Sequence, residues 1–210
     1  MKTTAVGDHN GRAEHLGPER RRPQVLDTAL QIAAESSVGE VTMGAIAQRL
    51  GVSRPVVYAC YPDRGELLSA LLERETASLT GRLMAILPPR KTSTVEQMFV
   101  DGFCSLFTDV GRQRSSWQII LAEDPDPVLA RAIAKGRALI TTQAAEVMRP
   151  LFERWQVADS EKTLPVLTEV FIGICETGVR MMIRPDTTWE PADLAEIVGP
   201  AAYRALRARG

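Results

Sequence analysis

A chain of 210 residues that is 45% hydrophobic can bury a substantial core, so one or two small folded domains are expected rather than a disordered polymer. Its 25 Lys and Arg against 26 Asp and Glu leave a formal net charge of −1, so the overall basic signature of many nucleic-acid binders is missing and any attraction for a polyanion has to be local. No apolar run approaches the roughly 18 residues that cross a bilayer and no signal-peptide pattern opens the chain, so a cytoplasmic protein without a membrane partner is expected.

Residues 1–17 mix Thr, Gly, His, Asn and charge without apolar period, which predicts a disordered arm; both histidines, His9 and His15, fall in it. From Glu19 onward Val25, Ala29, Ile32, Ala33 and Ser36 recur at helical spacing and predict a first helix ending near Val38-Gly39. Arg20, Arg21 and Arg22 at its start read either as a basic arm reaching phosphate or as a solvated charge run. Thr42 is placed to cap a second short helix with Met43, Ile46, Ala47 and Leu50 on one side and Gly51 as its stop. Ser53 is placed to cap a third, with Pro55 in its first turn, running to about Tyr58. Tyr61-Pro62-Asp63 breaks the helix. Asp63 with Glu66 then makes a capping-box pattern for a fourth, to about Leu79, whose apolar face is Leu67, Leu68, Leu71 and Leu72. Beyond Pro88-Pro89, helical patterns resume at about 94–110, 113–123, 126–155, 163–184 and 191–207, with Gly199-Pro200 expected to interrupt and kink the last. No strand alternation or fixed repeat appears, so the fold class is all-α with about nine helices.

The two short helices joined by Gly51-Val52-Ser53 match a helix-turn-helix: a tight glycine turn sets the second helix at a steep angle, and Ala47 is small where the helices approach. A plain helical hairpin is the alternative. The run Val41-Thr42-Met43-Gly44-Ala45-Ile46-Ala47-Gln48-Arg49-Leu50-Gly51-Val52-Ser53, followed by Val57-Tyr58, Tyr61, Arg64 and Glu66-Leu67, resembles the signature of the TetR family of regulators. The resemblance covers about residues 20–72. It implies a helix-turn-helix DNA-binding domain over 18–65 and a helical effector-binding and dimerisation domain over 66–210. It also implies that the third helix enters the major groove while flanking residues clamp phosphates.

Carried over by position, the DNA-contacting set is Thr42, Ser53, Arg54, Pro55, Val56, Tyr58, Tyr61 and Arg64. Thr42 would touch phosphate through its hydroxyl and helix N-terminus, or serve only as a cap. Arg54 would fork onto a guanine edge or grip a phosphate, with Pro55 and Val56 against thymine methyls. Tyr58 and Tyr61 would offer hydroxyls to phosphates, unless one ring packs on the first helix. Arg64 stands where the family usually has lysine, and is expected to pair with phosphate. Cys60 and Tyr61 replace a frequent histidine and phenylalanine. Residues 18–64 carry six arginines against five acids, so geometry rather than net charge has to supply the attraction.

Helix-turn-helix units usually bind as two-fold dimers. Leu164, Leu167, Phe171, Ile174 and Gly178, with Leu194, Ile197, Val198, Ala201 and Leu206, form the apolar faces of the last two helices. They are either a homodimer interface over about 163–184 and 191–207, as the resemblance implies, or intrachain core. The resemblance also implies a pocket for a small apolar or amphipathic effector, with Phe103, Phe107, Trp117, Trp155 and Phe171 the expected lining. Catalysis is not expected, because Cys60, Cys104 and Cys175 form no CxxC or Cys/His group and no phosphate loop or dinucleotide glycine pattern appears. Glu123, Asp124 and Asp126, separated by Pro125, read as a turn before a metal site, so no metal or cofactor is expected. The expected function is a dimeric, ligand-released regulator on a palindromic operator, a repressor by sign; a helical adaptor that meets protein instead of DNA is the alternative.

Overall fold

The computed structural model describes residues 17–86, 94–121 and 127–207. Residues 1–16 of the expected arm, Pro88-Pro89 and the Glu123, Asp124, Asp126 turn lie outside the described residues. Among those described there is no strand. The helices are α1 (Pro18–Glu35), α2 (Met43–Leu50), α3 (Arg54–Cys60), α4 (Arg64–Ile86), α5 (Val95–Arg112), α6 (Arg114–Ile120), α7 (Pro127–Arg154), α8 (Ser160–Ile183) and α9 (Pro191–Arg207), with a 3-10 turn at Val38–Glu40. The all-α expectation holds.

Two apolar cores organise these helices. In the first, Val25 and Ala29 of α1, Ile46 of α2, Val57 of α3 and Leu67, Leu68, Leu71 and Leu72 of α4 close a small N-terminal bundle, into which α6 inserts Ile119. The second gathers Phe99, Phe103, Phe107, Trp117, Met148, Phe152, Leu194 and Leu206 from the remaining helices. Helix α4 belongs to both: its leucines face the first core up to Leu72, and Leu79 lies in the second. That second face explains why α4 runs to Ile86 rather than stopping near Leu79, since another apolar surface is there to be buried. The expected domain boundary at residues 65–66 therefore falls inside a continuous helix.

Helix α9 packs closely along α5. A Cβ at Gly199 would stand 2.7 Å from the Val100 Cα and 2.8 Å from its backbone N, so only glycine lets the two backbones approach this far. This corrects the reading of Gly199-Pro200 as an interruption: α9 is continuous through Pro200, and Gly199 serves helix packing. The same burial corrects part of the expected dimer face. Leu164, Gly178, Leu194 and Leu206 are core within the chain, whereas Val166, Val170 and Ile197 remain exposed on α8 and α9.

Candidate nucleic-acid interface and ligand cavity

The reading head is built by local backbone chemistry. Extended backbone at Thr42 lets its Oγ1 accept from the Ala45 N–H at 3.1 Å, capping α2. At the other end Gly51 adopts φ +65°, a left-handed conformation that costs a side-chain-bearing residue roughly 1–2 kcal/mol. The Val52 N–H then returns to the Ala47 carbonyl at 3.0 Å, closing the turn. Pro55 sits near the start of α3, where its missing N–H costs little. Val57 and Cys60 bury one side of this seven-residue helix.

The opposite side of α3 presents Ser53, Arg54, Pro55 and Tyr58 to solvent, Tyr58 being 50% exposed, with Val56 half-buried beside them. The Ser53 hydroxyl makes no cap bond. The Arg54 guanidinium lies across α2, its Nη2 only 3.1 Å from where a Cβ at Gly44 would stand, and among the described residues no carboxylate pairs with it. Gly44 was not singled out by sequence reasoning, because a glycine inside a helix carries no signal of what will lie over it.

Two expected phosphate contacts are turned inward. Tyr61 is 8% exposed, its ring packed in the first core beneath the Arg22 guanidinium at 5.7 Å, and burial pushes its phenol pKa up. Arg64 donates from Nε to the Val41 carbonyl at 2.8 Å and from Nη2 to the Val38 carbonyl at 2.9 Å. It thus ties the 3-10 turn to the start of α4, because carbonyls left open by the short turn need a donor. Replacing Arg64 with alanine is expected to lower unfolding free energy by about 1.5–3 kcal/mol, the range for hydrogen bonds to a charged group. A urea midpoint that stays in place would restore the phosphate reading.

The arginine run at the start of α1 divides the same way. Arg22 donates to the Cys60 carbonyl at 3.1 Å and pairs with Glu19 at 3.2 Å, and Arg21 is buried, leaving Arg20 exposed at the edge of the head. Cys60 is buried, its Sγ 3.4 Å from the Val56 carbonyl, and burial raises its thiol pKa; a reactive thiolate has no support there.

In the second domain, helices α4 to α8 line an apolar cavity of about 200 Å³ that is partly open to solvent. Phe103, Trp117 and Phe171 line it, with Leu79, Met98 and Met148. Phe107 and Trp155 do not. Phe107 is wholly buried against Gly178, where a Cβ would lie 2.6 Å from its Cζ. Trp155 stacks instead on Phe152 and Tyr203, each centroid 6.0 Å away. The charged lining residues are Arg137 and Glu176; Arg137 Nε donates to Glu176 at 2.7 Å and Nη2 to Glu169 at 2.8 Å. Cys175 also faces the cavity, its thiol pushed up to about 12 by burial.

A polar chain joins the cavity's wall to the reading head. Asp27 of α1 pairs with Arg74 of α4 at 2.7 Å, Arg74 pairs with the buried Glu75 at 2.8 Å, and Glu75 accepts from the Ser116 hydroxyl of α6 at 2.5 Å. Next to Ser116, Trp117 lines the cavity, and two residues further Ile119 sits in the head's core. Among the described residues no helix is long and apolar enough to cross a membrane.

Comparison with known proteins agrees with this arrangement. The family model described as bacterial regulatory proteins, tetR family, matches residues 25–71. The HTH-type transcriptional regulator AlkX of Mycobacterium tuberculosis is 25% identical over 183 residues, 87% of this chain and 85% of that protein. The HTH-type transcriptional activator FasR of Mycolicibacterium smegmatis is 27% identical over 115 residues, 55% of this chain and 52% of that one. Among solved structures, the transcriptional regulator FadR of Bacillus subtilis in complex with stearoyl-CoA superposes with a TM-score of 0.69 at 12% identity, over 86% of this chain and 96% of its own. A head with the glycine turn and an exposed recognition face, matched by the tetR family model over residues 25–71 and set on a helical body, makes the chain a DNA-binding transcriptional regulator with a TetR-type head.

Proposed function

We propose that this regulator grips a palindromic operator as a homodimer and lets go when a small apolar or amphipathic molecule fills the cavity. The observation that carries the reading is the outward face of α3, where Ser53, Arg54, Pro55 and Tyr58 are exposed and Arg54 is unspent on any carboxylate among the described residues. The major groove, about 12 Å wide, admits one such helix, and two heads spaced by roughly 34 Å read successive half-sites. Thr42 adds a helix N-terminus and hydroxyl toward phosphate, and Val56 an apolar edge toward thymine. Whether release relieves repression or withdraws activation follows from where the operator lies relative to the promoter; overlap, and hence repression, is our reading.

Coupling runs through α4 and α6. A ligand pressing on Trp117 acts on the same short helix that anchors Ile119 in the head, and the Asp27–Arg74–Glu75–Ser116 chain resists relative sliding of the two domains. Occupancy shifts the population toward the head spacing it favours, and DNA affinity falls by the difference in affinity for the two states. A stearoyl-CoA complex in a structural neighbour supports a ligand-holding body of this kind.

For the dimer, the exposed Val166 and Val170 of α8 and Ile197 of α9 are apolar surface left uncovered by the chain itself. Burying a charge at such a seam is costly. Val170→Asp is therefore expected to raise the dimer dissociation constant about 100-fold, roughly 2.7 kcal/mol, and to weaken operator binding; a dissociation constant left unmoved in a dilution series would place the interface elsewhere. The function itself is tested by footprinting on DNA flanking the chain's own gene. A symmetric protected stretch is expected, and no specific protection at any salt would refute the reading.

A further inference from the structure

The cavity is apolar nearly throughout, and its charged lining residues are the paired Arg137 and Glu176. Both are already engaged. Arg137 is held by Glu176 and Glu169, and Arg180 approaches the second Glu176 oxygen at 3.9 Å, so two cations face two anions and the cluster is internally neutral.

That neutrality selects the ligand. An anionic head bonded to the spare N–H groups of Arg137 would add a negative charge that the neutral cluster does not compensate beside an apolar cavity, and an ammonium on Glu176 would add a positive one. A hydroxyl or carbonyl head adds no charge. Guanidinium has five N–H donors, of which the glutamates occupy Nε and one on Nη2, and an ionised carboxylate has spare lone pairs. The body of the ligand is set by volume. An apolar cavity of about 150 Å³ holds benzene, so the 200 Å³ here suits a somewhat larger molecule, and Met98 and Met148 allow the walls to adjust.

We propose that the effector is an uncharged amphiphile of roughly eight to ten heavy atoms, an aliphatic or aryl body with one hydroxyl or carbonyl head bonded to the Arg137–Glu176 pair. This rests on the cavity being the effector site.

The test uses the full chain and matched eight-carbon probes: 1-octanol, 2-octanone, octanoate and octylammonium, measured by calorimetry and by release from operator DNA. Octanol and octanone are expected to bind and release DNA, with octanoate and octylammonium at least about tenfold weaker. Apolar partition alone would also disfavour ions, so Glu176→Gln decides the mechanism. Removing one carboxylate leaves the arginines in excess, and the octanoate-to-octanol affinity ratio should rise at least about tenfold. If that variant folds poorly by circular dichroism, Glu169→Gln makes the same charge change nearer the surface. Octanoate equal to octanol in the wild type, or a ratio unmoved by the folded variant, overturns this inference and leaves the cavity reading standing. Binding by none of the four probes overturns the cavity reading, and this inference with it.

Discussion

Replacing Phe107 with alanine is expected to cost about 3–5 kcal/mol of folding stability, the range for emptying a buried phenylalanine site. The ring has no exposed surface, packs on Phe103 at 5.6 Å between centroids, and fills the notch that Gly178 leaves in α8. Neither the α5 backbone, held against α9 at Gly199, nor the α8 backbone at Gly178 is free to collapse into the void. For a chain of this size the melting temperature should fall by about 6–20 °C. Operator and ligand binding measured well below that temperature should be unchanged, since Phe107 does not border the cavity. Phe103→Ala is the contrast: that ring lines the cavity, so its loss should alter ligand affinity as well as stability. A Phe107→Ala variant with altered ligand affinity and an unchanged melting point would reverse this assignment.

Arg54→Ala is expected to weaken specific operator binding about 10–100-fold, or about 1–3 kcal/mol, with the melting temperature untouched. The stability half follows from exposure and from the absence of a carboxylate partner among the described residues. The binding half distinguishes two contacts. A fork onto guanine predicts relaxed specificity at one base pair and an unchanged salt slope; a phosphate grip predicts uniform loss and a slope shallower by about one. Gly44→Ala is a subtler probe. Its Cβ would stand 3.1 Å from Nη2 and 3.3 Å from Nε, so the guanidinium must shift by a few tenths of an ångström, and the head would stay folded while its grip changed. If Arg54→Ala bound a verified operator as tightly as the wild type, α3 would not be the reading element.

The reading head was legible because its determinants are local. A glycine that must adopt positive φ, a threonine cap and a proline in the first helical turn act within a few residues of one another, and the chain order alone exposes them. The directions of side chains were less legible. Tyr58 and Tyr61 look alike in sequence, yet at three residues' separation the end of α3 at Cys60 lies between them, and Tyr61 turns into the core while Tyr58 stays half exposed. Arg64 carries the charge expected of a phosphate contact, but the carbonyls of Val38 and Val41 come within its reach only after the chain has folded back on itself.

The same division holds in the larger domain. Helical period identified α5 to α9 and the aromatic richness of their interior, because amphipathic spacing is a property of each segment alone. Which aromatic residues face empty space was decided by partners on other helices. Gly178 draws Phe107 into contact, Phe152 and Tyr203 hold Trp155 away from the cavity, and Gly199 lets α9 lie so close to α5 that Leu194 and Leu206 become intrachain core. Sequence by itself thus determined the helices, the glycine turn and the TetR-like head. Only the tertiary structure decided the outward face of α3, the neutral charged cluster in the cavity wall and the apolar surface left at Val166, Val170 and Ile197, because each depends on packing between residues far apart in the chain.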